Sequence, residues 1–219
     1  GEDSGYSVMA ADSIEVTAAD AAVGEITTRG RLLDREGQEL AGFTQRYRVT
    51  RGSRVLQIDV ELDPREEPRA DPWNSYIACR WAWADESANL YRAVAGGREA
   101  TTAKRIEAPL YLDIDLPKQD TTILSGGIPY HRRNGLRMLD TLLIVRGEQQ
   151  RKFTLGVGVD LKYPLQEALS LITPPPAIYQ TAAPPSGATS GWLFHVDSKN
   201  VVCTHWEPLT GDGQVTGLR

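Results

Sequence analysis

Side chains that exchange protons, attack substrates or bind metals are sparse in this chain. Its 219 residues include three histidines, His131, His195 and His205, and two cysteines, Cys79 and Cys203. Metal ligands usually occur at close, defined spacing, and Cys203-x-His205 is the nearest approach to that pattern. His195 precedes it across an expected turn at Ser198-Lys199. That turn would set Trp192 opposite His205 and His195 opposite Val202, which sends the two histidines to opposite faces. A serine nucleophile wants a base in reach and a sharp turn around it. No G-x-S-x-G occurs, although Ser125 precedes Gly126-Gly127. The 29 acidic residues would allow a glycosidase carboxylate pair by count alone. Asp59, Glu61, Asp113 and Asp115, however, fall on the polar side of alternating runs, where a solvated sheet face is the expected place for them. Both cysteines lie in apolar, strand-like runs and read as buried free thiols, with a single disulfide between them as the alternative.

The densest set of polar donors lies between residues 121 and 147. Two strand-like runs there flank a loop that holds Gly126-Gly127, Pro129, Tyr130, His131, Arg132, Arg133 and Asn134-Gly135. The glycines allow close backbone approach. Two adjacent arginines beside a histidine and a tyrosine are able to grip carboxylates or sugar hydroxyls. A polar turn whose arginines pair with nearby acids is the competing expectation.

The elements that must carry this loop show period two. Leu56, Ile58, Val60 and Leu62 alternate with Gln57, Asp59 and Glu61. Leu112, Ile114 and Leu116 alternate with Asp113 and Asp115, and Phe153, Leu155, Val157 and Val159 do the same across Thr154, Gly156, Gly158 and Asp160. Such alternation buries one face of an antiparallel sheet. Turn residues at 35–37 and 51–53 join Gly30–Asp34, Glu39–Thr50 and Arg54–Leu62 into a meander. Pro64, Pro68 and Pro72 exclude a central strand between residues 63 and 72. In the strand expected over Tyr76 to Trp83, Ile77, Cys79, Trp81 and Trp83 face one way, and Tyr76, Ala78, Arg80 and Ala82 the other. Further strands are expected at Leu90–Val94, Lys104–Ala108, Thr121–Leu124, Leu139–Val145 and Trp192–Thr204. Leu142 to Val145 reads as buried on both faces. One short helix is expected near 164–172, started by Pro164 and stopped by Pro174-Pro175-Pro176. A Pro-rich linker or surface crossing follows over 173–191. The fold class is all-β, a large antiparallel β-sandwich over residues 1–219 as one domain.

A net charge of −5 and the lack of any basic stripe beyond Arg132, Arg133 and Arg137 argue against a nucleic-acid partner. No run approaches the roughly 18 apolar residues of a membrane span, and Gly1 to Gly5 carries no signal-peptide pattern. The chain reads as a soluble piece excised from a longer protein, of unassigned compartment.

Four stretches together resemble the β-sandwich region of family-38 glycoside hydrolases, the α-mannosidase-like enzymes. They are Gly30–Asp34 with Leu40–Arg48, Arg54–Pro64, Glu107–Tyr111, and Tyr130–Arg133 with Arg137–Asp140. They span roughly residues 23 to 165. The resemblance implies a galactose-mutarotase-like supersandwich that follows a catalytic α/β domain of the same parent chain. The nucleophilic aspartate and a zinc ion belong to that other domain, so this chain is expected to carry no cofactor of its own. It further implies that the His-Arg-Arg element lies near the sugar cleft, which makes Tyr130, His131, Arg132, Arg133 and Asp140 the candidate cleft residues. The acidic pair and Arg-Gly that follow this element in the family are replaced here by Asn134 to Asp140.

The function expected on this basis is a non-catalytic domain that buttresses the catalytic one and faces carbohydrate. The alternative is an independent carbohydrate-binding module, with a stacking platform drawn from Trp73, Trp81, Trp83, Trp192 and Trp206. A mutarotase-like isomerase would need a histidine and a carboxylate converging in one cleft. The purified chain is therefore expected to hydrolyse no aryl α-mannoside, with or without added zinc. Zinc-dependent turnover that co-purifies with the protein would overturn that expectation.

Overall fold

Alternating sequences of this kind pair into sheets, and in the computed structural model they do. It describes residues 6–94, 96–173, 196–198, 201, 203, 205 and 207–218. The chain divides into two units, residues 1–175 and 176–219.

In the first unit the strands run in chain order as β1 (Val8–Ala19), β2 (Val23–Leu33), β3 (Glu39–Thr50), β4 (Val55–Pro64), β5 (Ile77–Ala82), β6 (Asn89–Val94), β7 (Gly97–Ala100), β8 (Arg105–Glu107), β9 (Tyr111–Leu116), β10 (Gln119–Leu124), β11 (Tyr130–Arg133), β12 (Met138–Ile144) and β13 (Lys152–Val159), followed by the helix α1 (Pro164–Ile172). They form a nine-stranded sheet, ordered β1-β2-β3-β4-β13-β10-β9-β6-β7, and a four-stranded sheet, β5-β12-β11-β8. All pairings are antiparallel. The fold is the expected all-β sandwich with one short helix.

The core lies between the sheets in two joined clusters. Phe43, Ile58, Val60, Leu62, Phe153 and Leu155 of the larger sheet meet Leu143 and Ile144 of the smaller one, with Ile77 and Cys79 packed alongside. Leu90, Leu112, Ile114 and Ile123 meet Ile106 and Leu139. Trp81 packs on both clusters. The parity read for the Tyr76–Trp83 run is thus the observed one, with Trp81 and Trp83 half-buried against the core. β12 is covered on both faces, as its unbroken apolar run implied, and a bulge between Leu142 and Ile144 breaks its register with β5.

α1 lies against the opposite face of the larger sheet, where Ala168 joins Ala93, Tyr111 and Leu124. Gly158 makes this approach possible, since a Cβ there would stand 2.3 Å from Leu161 Cδ1. Gly126, with φ of 61°, turns the chain from β10 toward β11. A Cβ there would meet Thr154 O at 1.8 Å, so both the conformation and the space exclude other residues.

Four expectations need correction. β1 was not anticipated, because bulges at Ala11/Ser13 and Val16/Ala18 shift the phase of its alternation. The supposed loop around Tyr130 is strand β11, which lies inside its sheet between β8 and β12. Its residues are polar on both faces, so no alternation marked it, and the neighbouring backbones create the strand. Asp113 is only 2% exposed rather than solvated. Thr122 Oγ1 donates to it at 2.6 Å and Arg98 Nη1 at 3.5 Å, while burial pushes its carboxyl above the usual range. Cys203 is exposed rather than buried, although both thiols are free as expected.

The second unit contains a hairpin, β14 (Pro208–Gly211) and β15 (Gln214–Leu218). Of the strand expected at 192–204 only residues 196–198, 201 and 203 are described and none of these is in a strand, while the linker expected at 173–191 lies outside the described residues but for Thr173, as do His195, Trp192 and Trp206.

Because Trp81 joins both halves of the core and its indole N–H donates to Thr141 Oγ1 at 2.9 Å, Trp81→Ala is expected to destabilise the chain by about 3–5 kcal/mol. Urea unfolding checks this, and a variant of wild-type stability would remove Trp81 from the core.

Candidate functional site

Register across the smaller sheet builds the outward surface. Arg105 of β8 pairs with Arg132 of β11, Arg132 with Asp140 of β12, and Asp140 with Arg80 of β5. Cross-strand partners share a face, so these four side chains form one row pointing away from the core.

Asp140 anchors one end of this row. It is 1% exposed. Arg80 donates Nε to Oδ1 at 2.6 Å and Nη2 to Oδ2 at 2.7 Å, the two-pronged geometry that suits a guanidinium. Tyr76 Oη adds a bond at 2.8 Å, and Asn134 Nδ2 a further one. The Arg80 guanidinium in turn lies 4.2 Å over the Tyr6 ring.

The other end is open. Arg132 Nη1 donates to Trp73 O, and the Arg132 guanidinium lies 5.9 Å from the Tyr76 ring centre. Trp73 is set by an Asx turn in which Asp71 Oδ1 accepts its N–H at 3.0 Å. These turn bonds, more than the nearby Arg105 and Arg132, hold the Asp71 carboxyl below the usual range. Arg105 stands 5.2 Å over the Trp73 ring, and Trp73 meets Tyr130 edge-on with ring centres 5.9 Å apart. Tyr130 is 50% exposed. Such a surface offers hydrogen-bond donors and aromatic faces. Its one buried carboxylate is fully engaged.

His131 points the other way, into the sandwich, and is 0% exposed. Its Nε2 lies 3.1 Å from Ala108 O, which only accepts, so Nε2 carries the proton. Nδ1 therefore accepts from the Thr141 hydroxyl at 3.0 Å, while that hydroxyl oxygen accepts the Trp81 N–H. Burial pushes the imidazole down to about 4, so it is neutral in this chain of bonds. Arg133 also leaves the row. It donates to Thr101 O at 3.4 Å and Leu136 O at 3.2 Å.

The five candidates are therefore not one loop cluster. Strand geometry places Tyr130, Arg132 and Asp140 on the outward face and His131 in the core. Arg132 and Arg133 brace backbone carbonyls rather than the acids of the competing expectation. Trp73, Tyr76, Arg80 and Arg105 complete the surface. The parity of the Tyr76–Trp83 run had already put Tyr76 and Arg80 together opposite the core. The strand expected at Lys104–Ala108 likewise put Arg105 opposite Ile106 and Ala108, whereas Trp73 had no parity to place it, since a loop delivers it.

One other feature could hold a ligand. A cleft of about 460 Å³ beside the β11–β12 turn is lined by Trp83, Glu86, Leu136 and Arg137, and its two charges, Glu86 and Arg137, pair at 3.4 Å. The indole N–H of Trp83 is buried without a partner. Among the described residues no group of three or more His, Cys, Asp or Glu is placed to hold a metal ion. No helix among them is long and apolar enough to cross a membrane.

The larger sheet presents a different kind of surface. Register carries the core face outward from Val60 through Gln45 and Thr28 to Ile14, and from Ile58 through Tyr47 and Ile26 to Val16. The smaller sheet ends at β5 and leaves this part bare, with Ile14 68% and Val16 70% exposed. Met9, Ile26 and Val49 are exposed there too. The opposite face of the same strands carries ion pairs, including Arg31–Asp12 at 2.8 Å and Arg48–Glu25 at 2.6 Å.

No family model matches the chain, and no curated protein is significantly similar to it.

The folded-state pKa of His131 lies below its unfolded value near 6.5. Its contribution to stability is thus present above pH 6.5 and lost as pH falls to about 4. The loss amounts to about 3 kcal/mol. Asp113, shifted upward, works in the opposite sense, so the measurement is the difference between wild type and His131→Gln. Only wild type is expected to show the added steepening of denaturant stability between pH 6.5 and 4, and parallel curves would contradict the burial argument.

Proposed function

We propose that this chain is a non-catalytic β-sandwich domain of an α-mannosidase-like glycoside hydrolase, docked on the catalytic α/β domain and facing carbohydrate through its smaller sheet. The observation that carries the reading is the bare core-like face of β1, β2 and β3. An antiparallel sheet face without a charged residue belongs against another apolar surface. Three strands about 4.8 Å apart and about eight residues long give on the order of 400 Å². A free-standing dimer needs about 800 Å² per partner, so the area suits a tethered neighbour in the same polypeptide, held at high local concentration.

The stretches that resemble family-38 enzymes supply the end of β2, most of β3, β4, β11 and the start of β12, and with them Arg132 and Asp140 of the outward row. Zinc and the nucleophile belong, on this reading, to the neighbouring domain. This domain contributes support and a polar, aromatic wall. Half-buried Trp73 and exposed Tyr130 also suit the alternative of an independent carbohydrate-binding module.

Ile14→Lys combined with Val16→Lys separates the two. In the isolated chain both sites face water, and the change in stability is expected to stay within about 0.5 kcal/mol. In the parent enzyme the pair is expected to cost about 3 kcal/mol or more, through two lysines forced into an apolar contact, and to lower turnover with it. A parent enzyme whose melting temperature and turnover ignore both lysines would favour the independent module.

A further inference from the structure

Arg105 and Arg132 are direct cross-strand partners on an open face. Like charges in that position repel each other. Several other sheet arginines are neutralised by carboxylates, Arg29 by Glu15, Arg31 by Asp12, Arg48 by Glu25 and Arg80 by Asp140, whereas Arg133 of the same strand as Arg132 has no such pair among the described residues. Among the described residues, Arg105 and Arg132 have no ion-pair partner within 4.0 Å. Asp71 is close enough to feel both cations, yet its carboxyl is occupied by the Trp73 N–H at 3.0 Å and Asn74 Nδ2 at 2.6 Å. Glu107 shares the outward face two positions along β8 from Arg105 and stands opposite Tyr130, without an ion pair to either arginine within 4.0 Å.

Neutral groups hold the two guanidiniums in place. Trp73 O accepts from Arg132, and the Trp73 ring lies 5.2 Å beneath Arg105. Two fixed forks side by side make a receptor for an oxyanion, because each can direct paired N–H groups at two oxygens. Beside them Trp73 and half-exposed Tyr130 offer apolar surface of the kind that receives the C–H face of a pyranose.

We propose that Arg105 and Arg132 bind the carboxylate or sulfate of an acidic saccharide whose ring rests on Trp73 and Tyr130. The proposal rests on the carbohydrate-facing reading above and narrows its ligand from a neutral sugar to an anionic one. Among the described residues no carboxylate reaches either guanidinium within 4.0 Å, so a ligand oxyanion supplies the direct charge-assisted bonds that Asp71 and Asp140 nearby do not, and this gives the site its preference for charge.

Calorimetric titration of the chain with a mannuronate tetrasaccharide, neutral mannotetraose and inorganic sulfate tests it. The acidic tetrasaccharide is expected to bind about tenfold or more tightly than the neutral one, through the charge-assisted bonds that only it can accept. Its binding is expected to weaken as salt rises from low to physiological concentration. Arg105→Gln and Arg132→Gln are each expected to remove that preference. Arg105 is exposed, so Arg105→Gln keeps the test valid should Arg132→Gln fail to fold. Equal binding of both tetrasaccharides, insensitive to Arg105→Gln, would overturn the anionic preference and leave the carbohydrate reading standing. Sulfate binding without either sugar would reveal a simple anion site and overturn the proposal. Binding of none of the three would overturn it together with the carbohydrate-facing reading.

Discussion

Asp140 and Thr141 are adjacent residues on a strand buried on both faces, so each must find its partners inside the fold. An unsatisfied buried carboxylate or hydroxyl would cost several kcal/mol. Asp140 meets this requirement on the outward side through Arg80, Tyr76 and Asn134. Thr141 meets it on the inward side through Trp81 and His131. The requirement ties β5 and β11 to β12 from both faces at once. It also sets the height of the row on which Arg132 and Arg105 stand. The polar groups of the smaller sheet are thus arranged around one strand, and the surface offered to a ligand is the part of that arrangement left over.

The two sheets differ in width, and the consequences divide cleanly between their faces. Where the four strands of the smaller sheet cover the larger one, leucine, isoleucine and phenylalanine interlock. Beyond β5 the same inward pattern continues over β1 to β3, and no described strand of the smaller sheet covers it. Every strong charge on those strands lies on the other face, in pairs such as Glu15 with Arg29. The chain therefore has two surfaces of opposite character: an apolar one that lacks a second layer, and a donor-rich aromatic one on the outside of the smaller sheet.

Much of the fold was legible in the order of residues. The period-two runs of β4, β9 and β13, the turns around residues 37 and 52, the helix after Pro164 and the doubly buried β12 are local statements, each decided by a side chain's affinity for water and the geometry of a strand or helix. β1 escaped because its bulges broke the period. β11 escaped because polar residues on both faces leave no period to read. The site was legible only in part. Tyr130, Arg132 and Asp140 were among the candidates, but so were His131 and Arg133, and alternation along one strand sends those two elsewhere.

Sequence by itself determined that this chain is all-β, which face of each regular strand seeks the core, and that histidine and cysteine are too few for a dense catalytic cluster. Tertiary structure alone decided which strands became neighbours. It placed Arg105 beside Arg132 from 27 positions apart, turned His131 into a neutral core residue, buried Asp113, and left Ile14 and Val16 without a cover. The physical reason is that hydropathy acts residue by residue, whereas charge proximity, hydrogen-bond satisfaction and coverage depend on registers between distant strands, and those are chosen by the packing of the whole sandwich.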